Sequence, residues 1–569
     1  MQLTVQYNCP DMRLLLLLML AVSATAQDRS QARSMVISDR GIVATSQTLA
    51  SQAGAQILAR GGSAVDAAIA ADAVLGIVEP MSCGIGGDLF GIYQDAKTGQ
   101  LTGLNSSGFA GRAMSIEALK ALGYDSMPQT GIQSVTVPGC VEGWSKLHQR
   151  FGKLPWSDLF QPAIYFAEHG FPVTEIIHEA WKLAAGRLSE NKAVYLPHGE
   201  VPEVGEVFRN PQYGAALRLI ANDGPAAFYQ GPIASAILKT GSRLGGKLSA
   251  DDFAEFQAEW TQPVSTEYHG WRVYELPPNT QGIAALEMLN IFSRFPLRDY
   301  APRGAEELHI QIEAQKLAYA DLHRYVADPK FAKVPVDGLI SRGYARERAA
   351  RIDKNKANCE VPPGTPLEIG RDTIYMAAVD ADGNIISLIQ SLYSSFGSGV
   401  VVDQFGFALQ NRGALFTMDA AHPNALAPRK RPFHTIIPAF MQKDNLRIGF
   451  GIMGGFNQAQ AHAQFVSNIV DHGMNIQAAL EAPRFTKLTF GGCDVSIENR
   501  IPPEVRNVLA ARGHQLNVTG DFSDTMGGGQ AVMHDTRSKI NYGASDPRKD
   551  GAAVPEPHPY FTSAAHATR

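Results

Sequence analysis

The chain has 569 residues, 45% of them hydrophobic and 18% charged, with a formal net charge of −5 and a pI near 6.3. That balance excludes a disordered chain, which lacks the apolar content for a core. With no basic run of five or more residues, it also speaks against a nucleic-acid partner, which needs a concentrated basic face.

In chain order, Arg13 precedes the apolar run 14–22, and Ala24-Thr25-Ala26 precedes Gln27. A positive start, a short apolar stretch and small residues at a cleavage point make a secretory signal over 1–26, so a secreted or periplasmic protein is expected. A membrane anchor is the alternative, but the run is about half the ~20 residues a bilayer needs. The lead 1–11 suggests Met12 as the true start. Cys9, Cys83, Cys140, Cys359 and Cys493 are widely spaced with no CxxC pair, which indicates neither a zinc cluster nor a dense disulfide framework. An oxidising compartment permits one or two bridges, and the pairing among Cys83, Cys140, Cys359 and Cys493 stays open.

A helix is predicted over 63–77, capped by Ser63 with Asp66 in its first turn. The glycine cluster 83–88 follows that helix and precedes a strand at 89–93, the wrong context for a dinucleotide fingerprint. From 135 to 351 the pattern is mostly helical, with helices at 283–292 and 306–326. His178-Glu179 lacks a second histidine four residues on, so no zinc-peptidase helix is present. Residues 358–370 carry Pro362, Pro363, Gly364 and Pro366 and read as loop. The texture then changes. Residues 372–380 alternate, with Thr373, Tyr375, Ala377 and Val379 on one face. Asp382-Gly383 signals a tight hairpin, and 385–392 returns as the second strand. Further strands are expected at 406–410, 436–441 and 447–452, and helices at 458–472 and 476–482.

A lone threonine in a strand is ordinarily structural. Here it opens the strand directly after a proline-rich loop, followed by Val379, Asp380, Asp382, Gly383 and Asn384. With Gly61-Gly-Ser-Ala-Val-Asp-Ala-Ala68, Val78-Glu-Pro80, Val135-Thr-Val-Pro-Gly139, Arg150-Phe-Gly-Lys-Leu-Pro155, Glu275-Leu-Pro-Pro278, the run 312–321, Gly454-Gly455 and Ala482-Pro-Arg-Phe485, this resembles the γ-glutamyltransferase (γ-glutamyltranspeptidase) family over nearly the whole mature chain. The resemblance implies an α+β fold, a four-layer αββα N-terminal-nucleophile hydrolase sandwich with a helix-rich large fragment. It implies autocleavage between Asp372 and Thr373, giving subunits 27–372 and 373–569 that stay together as a heterodimer with one intertwined core. Thr373 is then the nucleophile. The freed α-amine has an ordinary pKa of about 7.7–8.0 and serves as the base that its own hydroxyl needs, already oriented on the same residue. Ser391 matches a hydroxyl that hydrogen-bonds the nucleophile. Gly454 and Gly455 match paired backbone N–H donors of an oxyanion hole. No cofactor or metal is required by this chemistry.

The departures concern substrate. Ser107 stands where the family's carboxylate-gripping arginine would be, His434-Thr435 replace two serines, and the acidic residue that meets the substrate α-amino group falls near Leu415. Losing a bidentate arginine removes a charge-assisted contact. Ser107, Tyr393, Asn411, Arg412, His434 and Thr435 are the candidates for lining the substrate pocket. Arg412 is open to two readings, an anionic-group contact from a new direction or a structural salt bridge. The set looks like the divergent, glutathione hydrolase-like branch. The expected substrate is a small γ-glutamyl or related acyl amide, glutathione included, with transfer to water or an amine. An acylase or small-amide hydrolase without γ-glutamyl preference is the second reading, and an inactive exported scaffold the third.

Overall fold

A computed structural model describes residues 31–360 and 372–560. The export signal read at 1–26 and most of the 358–370 loop lie outside the described residues, while 358–360 have no regular structure. Two seven-stranded antiparallel sheets lie face to face. The first contains β1 (Val36–Ser38), β6 (Val264–Tyr268), β7 (Trp271–Glu275), β10 (Ala439–Lys443), β11 (Leu446–Ile452), β12 (Gly529–Asp535) and β13 (Ile540–Ser545), in the order β1-β13-β12-β11-β10-β7-β6. The second contains β2 (Ile42–Thr45), β3 (Asp88–Gln94), β4 (Leu101–Ser106), β5 (Glu259–Thr261), β8 (Asp372–Val379), β9 (Ile385–Tyr393) and β14 (Ala552–Pro555), in the order β14-β2-β8-β9-β3-β4-β5.

Strand periodicity explains the layers. Tyr375, Ala377 and Val379 of β8 point into the seam between the sheets, with Ile389, Phe440 and Val532. Ile374, Met376 and Ala378 point the other way, into the cluster formed with α1 (Thr48–Ala59) and α2 (Ala64–Val78). Alternate residues serve opposite faces, and both faces are buried, so β8 is apolar almost throughout. On the outer face of the first sheet lie α3 (Gly282–Phe292), α4 (Ala305–Tyr325), α5 (Asn457–Val470) and α6 (Ile476–Glu481). The expected four-layer αββα sandwich is the observed one. No described helix is long and apolar enough to cross a membrane.

The local chemistry is legible. Ser63 and Asp66 form a reciprocal capping box on α2, and the small side chains of that helix let every residue of it be buried. The β8–β9 turn closes with Gly383 at φ +86°, its N–H donating to the Asp380 carbonyl at 3.0 Å. Asn384 Nδ2 donates to the Asp380 carboxylate, which also accepts the Ala64 N–H of α2 at 3.2 Å. Burial raises the Asp380 pKa. The turn is thereby fastened to the helix layer.

Three expectations need correction. Residues 406–410 are not a strand. Gly406 at φ +60° and Gln404 at φ +73° fold 402–407 into a tight turn, leaving only an isolated bridge between Val401 and Ala408. The strand expected from 436 begins at Ala439, just past Pro438, which has no N–H to give a ladder. Within the stretch read as mostly helical lie five strands: β5, β6 and β7, the first two half-exposed, and a two-residue pair, Phe171–Pro172 with Val207–Phe208.

One disulfide joins Cys359 to Cys493, while Cys83 and Cys140 are buried free thiols.

Candidate active site

Thr373 sits at the head of β8, where the ladder with β9 shifts register between Asp372 and Ile374. Such an irregularity re-aims a side chain. Thr373 Oγ1 donates to Ser391 Oγ at 3.1 Å, and Ser391 Oγ also accepts the Tyr393 N–H at 2.7 Å. Tyr393 holds φ at +80°, a strained value for a bulky residue and one that clusters at functional sites.

The two glycines arrive from the facing sheet. An added Cβ on Gly449 would meet Ile385, and one on Gly451 would meet Tyr375, the partner of Ile389. Moving along β11 therefore advances along β9 toward its Ser391 end. Past Ile452, Gly454 has φ +121° and Gly455 φ +59°, a bend that leads into the first turn of α5, where amide N–H groups are left without helical acceptors. Among the described residues, neither glycine N–H donates to a backbone carbonyl. Gln281 Nε2 holds the other side of this turn, donating to the carbonyls of Gly455, at 2.8 Å, and Thr435.

Behind Ser391 lies a charged group outside the predicted site residues. Asp88 is its ladder partner in β3. One carboxylate oxygen accepts the N–H groups of Gly108 and Gly139, both at 3.1 Å, and the other accepts from His434 Nε2 at 3.1 Å. Burial pushes Asp88 up to about 7, opposed by the nearby Arg412. Burial, then the charges of Arg412 and Arg431, hold His434 well below its usual range and therefore neutral. That agrees with an imidazole donating from Nε2 and accepting the Ile436 N–H at Nδ1. The Cys83–Asp88 glycine run was the available signal: added Cβ atoms on Gly86 and Gly87 would strike the backbone of Ala408 and Ser391.

The other candidates gather around this centre. Asn411 exchanges hydrogen bonds with Ser394, fixing the 411–412 segment to the end of β9. Arg412 is wholly buried, its guanidinium carbon 4.8 Å from the centre of the Tyr393 ring, and its Nη1 donates to Thr435 Oγ1 at 2.7 Å. Burial lowers Arg412 to about 10, so it stays charged. Ser107 is engaged inside the protein, donating to Asn105 Oδ1 at 2.8 Å and accepting from Asn279 Nδ2 at 3.2 Å. A cavity of about 510 Å³ abuts the site and is lined among others by Gln129, Ala414, Leu415, Phe433, Phe456 and Phe490. Its walls thus include the neighbours in sequence of His434, Gly455 and Gly413.

Among the described residues, one group has the composition of a metal site, His309 and Glu313 of α4 with His514. Its atoms are already partnered with one another and with a lysine. His309 Nδ1 bonds His514 Nε2 at 2.8 Å, and Glu313 accepts from Lys316 Nζ at 2.6 Å. Sequence spacing could not reveal it, because His514 is about 200 residues from α4.

The family model described as Gamma-glutamyltranspeptidase matches residues 50–556. A glutathione hydrolase-like proenzyme of Bacillus subtilis is 36% identical over 91% of this chain and 99% of its own length. The oxamate amidohydrolase proenzyme of Klebsiella pneumoniae is 34% identical, again over 91% and 99%. Among solved structures, a cephalosporin acylase from Bacillus halodurans superposes with a TM-score of 0.87 at 41% identity, covering 94% of this chain and 99% of that one.

Proposed function

The chain belongs to the gamma-glutamyltranspeptidase family, and from that premise we propose that it is an autoprocessed amidohydrolase cleaving γ-glutamyl or related acyl amides through an acyl-Thr373 intermediate. The observation that carries the assignment is the Thr373 hydroxyl, 3.1 Å from Ser391 Oγ at the head of a central strand, with β11, the strand that runs on to Gly454-Gly455, packed across the same hairpin. In maturation the hydroxyl attacks the Asp372 carbonyl, the peptide nitrogen leaves as the Thr373 α-amine, and water opens the resulting ester. In turnover that amine takes the hydroxyl proton while Oγ1 attacks the substrate carbonyl. The developing oxyanion accepts from the N–H groups of Gly454 and Gly455, an arrangement whose single donors typically contribute a few kcal/mol. The protonated amine then gives its proton to the leaving nitrogen, and water or an acceptor amine releases the acyl group.

The relatives' names cover glutathione hydrolase-like, oxamate amidohydrolase and cephalosporin acylase activities, all of them amide cleavage. A γ-glutamyl donor is the family reading. A donor without an α-amino group is the second, favoured by Leu415 standing in an aromatic cavity wall. Export through the 1–26 signal is part of the proposal, supported by a disulfide, which persists in oxidising compartments. The test is N-terminal sequencing of purified protein. Fragments 27–372 and 373–569 are expected, the second beginning Thr-Ile-Tyr-Met, and Thr373→Ala should remove both cutting and turnover. A fully active, uncut chain would overturn the proposal. Comparing γ-glutamyl anilide with simple acyl anilides separates the two substrate readings.

A further inference from the structure

Arg412 is fully buried, and among the described residues no carboxylate lies within ion-pair distance of it. A guanidinium in that position is costly unless its donors are used. One edge is used, by Thr435 Oγ1 on Nη1, and one face is covered by the Tyr393 ring. Nε and Nη2 have no acceptor. These are the two N–H groups of the side-on edge, the geometry that grips both oxygens of a carboxylate. Asp88, the nearby acid, does not fill that role: it stands beyond ion-pair distance, its oxygens accepting from Gly108, Gly139 and His434. The position is also fixed: Asn411 is bound to Ser394, the Arg412 N–H donates to the Gln410 side chain, and Ala414 and Leu415 continue into the cavity wall. The ring over the guanidinium belongs to Tyr393, ladder partner of Asp372, the residue before the nucleophile.

We infer that Arg412 is the carboxylate receptor of the acyl-donor site, its Nε–Nη2 edge binding an anionic carboxylate carried on the acyl portion of the substrate. The position read as the family's arginine, Ser107, has its hydroxyl committed to Asn105 and Asn279, so charge recognition has moved from the residue that follows β4 to the 411–415 segment. This rests on the amidohydrolase reading and assigns which substrates that site selects: amides of dicarboxylic acids over neutral acyl amides of equal length.

The experiment compares glutaryl and pentanoyl p-nitroanilides, identical but for a carboxylate in place of a methyl, on the wild-type protein and on Arg412→Met and Arg412→Lys. A charge-assisted pair contributes about 1.5–3 kcal/mol, so the glutaryl-to-pentanoyl ratio of kcat/KM should fall roughly 10- to 150-fold in Arg412→Met. Arg412→Lys, with charge but no fork, should fall in between. Glutarate itself should bind the wild-type protein by calorimetry and bind Arg412→Met at least about tenfold more weakly. Should Arg412→Met fail to fold, the ratio in Arg412→Lys and glutarate binding to the wild type decide. An unchanged ratio, or a wild type that turns over both anilides equally without binding glutarate, overturns the receptor. A wild type that binds glutarate yet cleaves neither anilide overturns the hydrolase reading and leaves the receptor standing.

Discussion

A threonine hydroxyl owes its reactivity to its surroundings, and at position 373 those surroundings are Ser391 and the register shift that turns the two hydroxyls together. Ser391→Ala should lower kcat roughly 10- to 100-fold, the loss of one hydrogen bond to the reacting group, with KM little changed. Stopped-flow acylation on the cut variant measures it, and an unchanged kcat would remove Ser391 from the machinery. Thr373 and Ser391 were legible because the turn motif around Asp380 and Gly383 fixes which strand follows which. Asp88 and Gln281 were not. Each acts through partners more than 150 residues away, His434 and Gly455 among them, and single-sequence spacing carries no trace of such a pairing. Arg412 was named as a candidate, yet the choice between salt bridge and open donor depends on what lies around it in space.

At the scale of elements, the bend between β11 and α5 depends on two consecutive glycines at positive φ. Gly454 lies at φ +121°, and a Cβ there would stand 3.2 Å from the Asn457 Cβ. Gly454→Ala is expected to cost about 1–3 kcal/mol of stability and, by turning an N–H away from the reacting oxygen, about 10²- to 10³-fold in kcat. Thermal melts beside steady-state kinetics check both, and a stability loss without the rate loss would place the oxyanion donors elsewhere. The β8–β9 hairpin and helices α2, α3 and α4 were readable because their signals are local: a cap, a turn glycine, a 3.6-residue period. The half-exposed strands β5 and β6 lack a clean alternation. Residues 406–410 have strand composition, but Gly406 turns the chain back, and tertiary placement overrides the local preference.

For the whole molecule, acid sensitivity follows from the His309–Glu313–His514 cluster under α4. Burial, with the charges of Lys316, Arg512 and Lys487 and the His309 ring, depresses the His514 pKa to about 3; Glu313 faces the same cluster. The unfolded chain protonates this imidazole near pH 6.5 while the folded chain does not. Between pH 6.5 and about 3 the unfolded state therefore holds the extra proton, and stability falls as pH falls. At pH 5 the loss from this residue is on the order of 2 kcal/mol relative to pH 7.5. His514→Gln should flatten the dependence of Tm on pH across that window; an equal slope in the variant would assign the acid sensitivity to other groups. A different consequence follows from the bridge between Cys359 and Cys493. These cysteines stand on opposite sides of the proposed scissile bond, so maturation would open the backbone without yielding two separable molecules. Non-reducing electrophoresis of mature protein should give one band and thiol treatment two, whereas two bands without reductant would rule the strap out. The new carboxyl end, thirteen residues past Cys359, would stay covalently joined to the very subunit from which it had been severed.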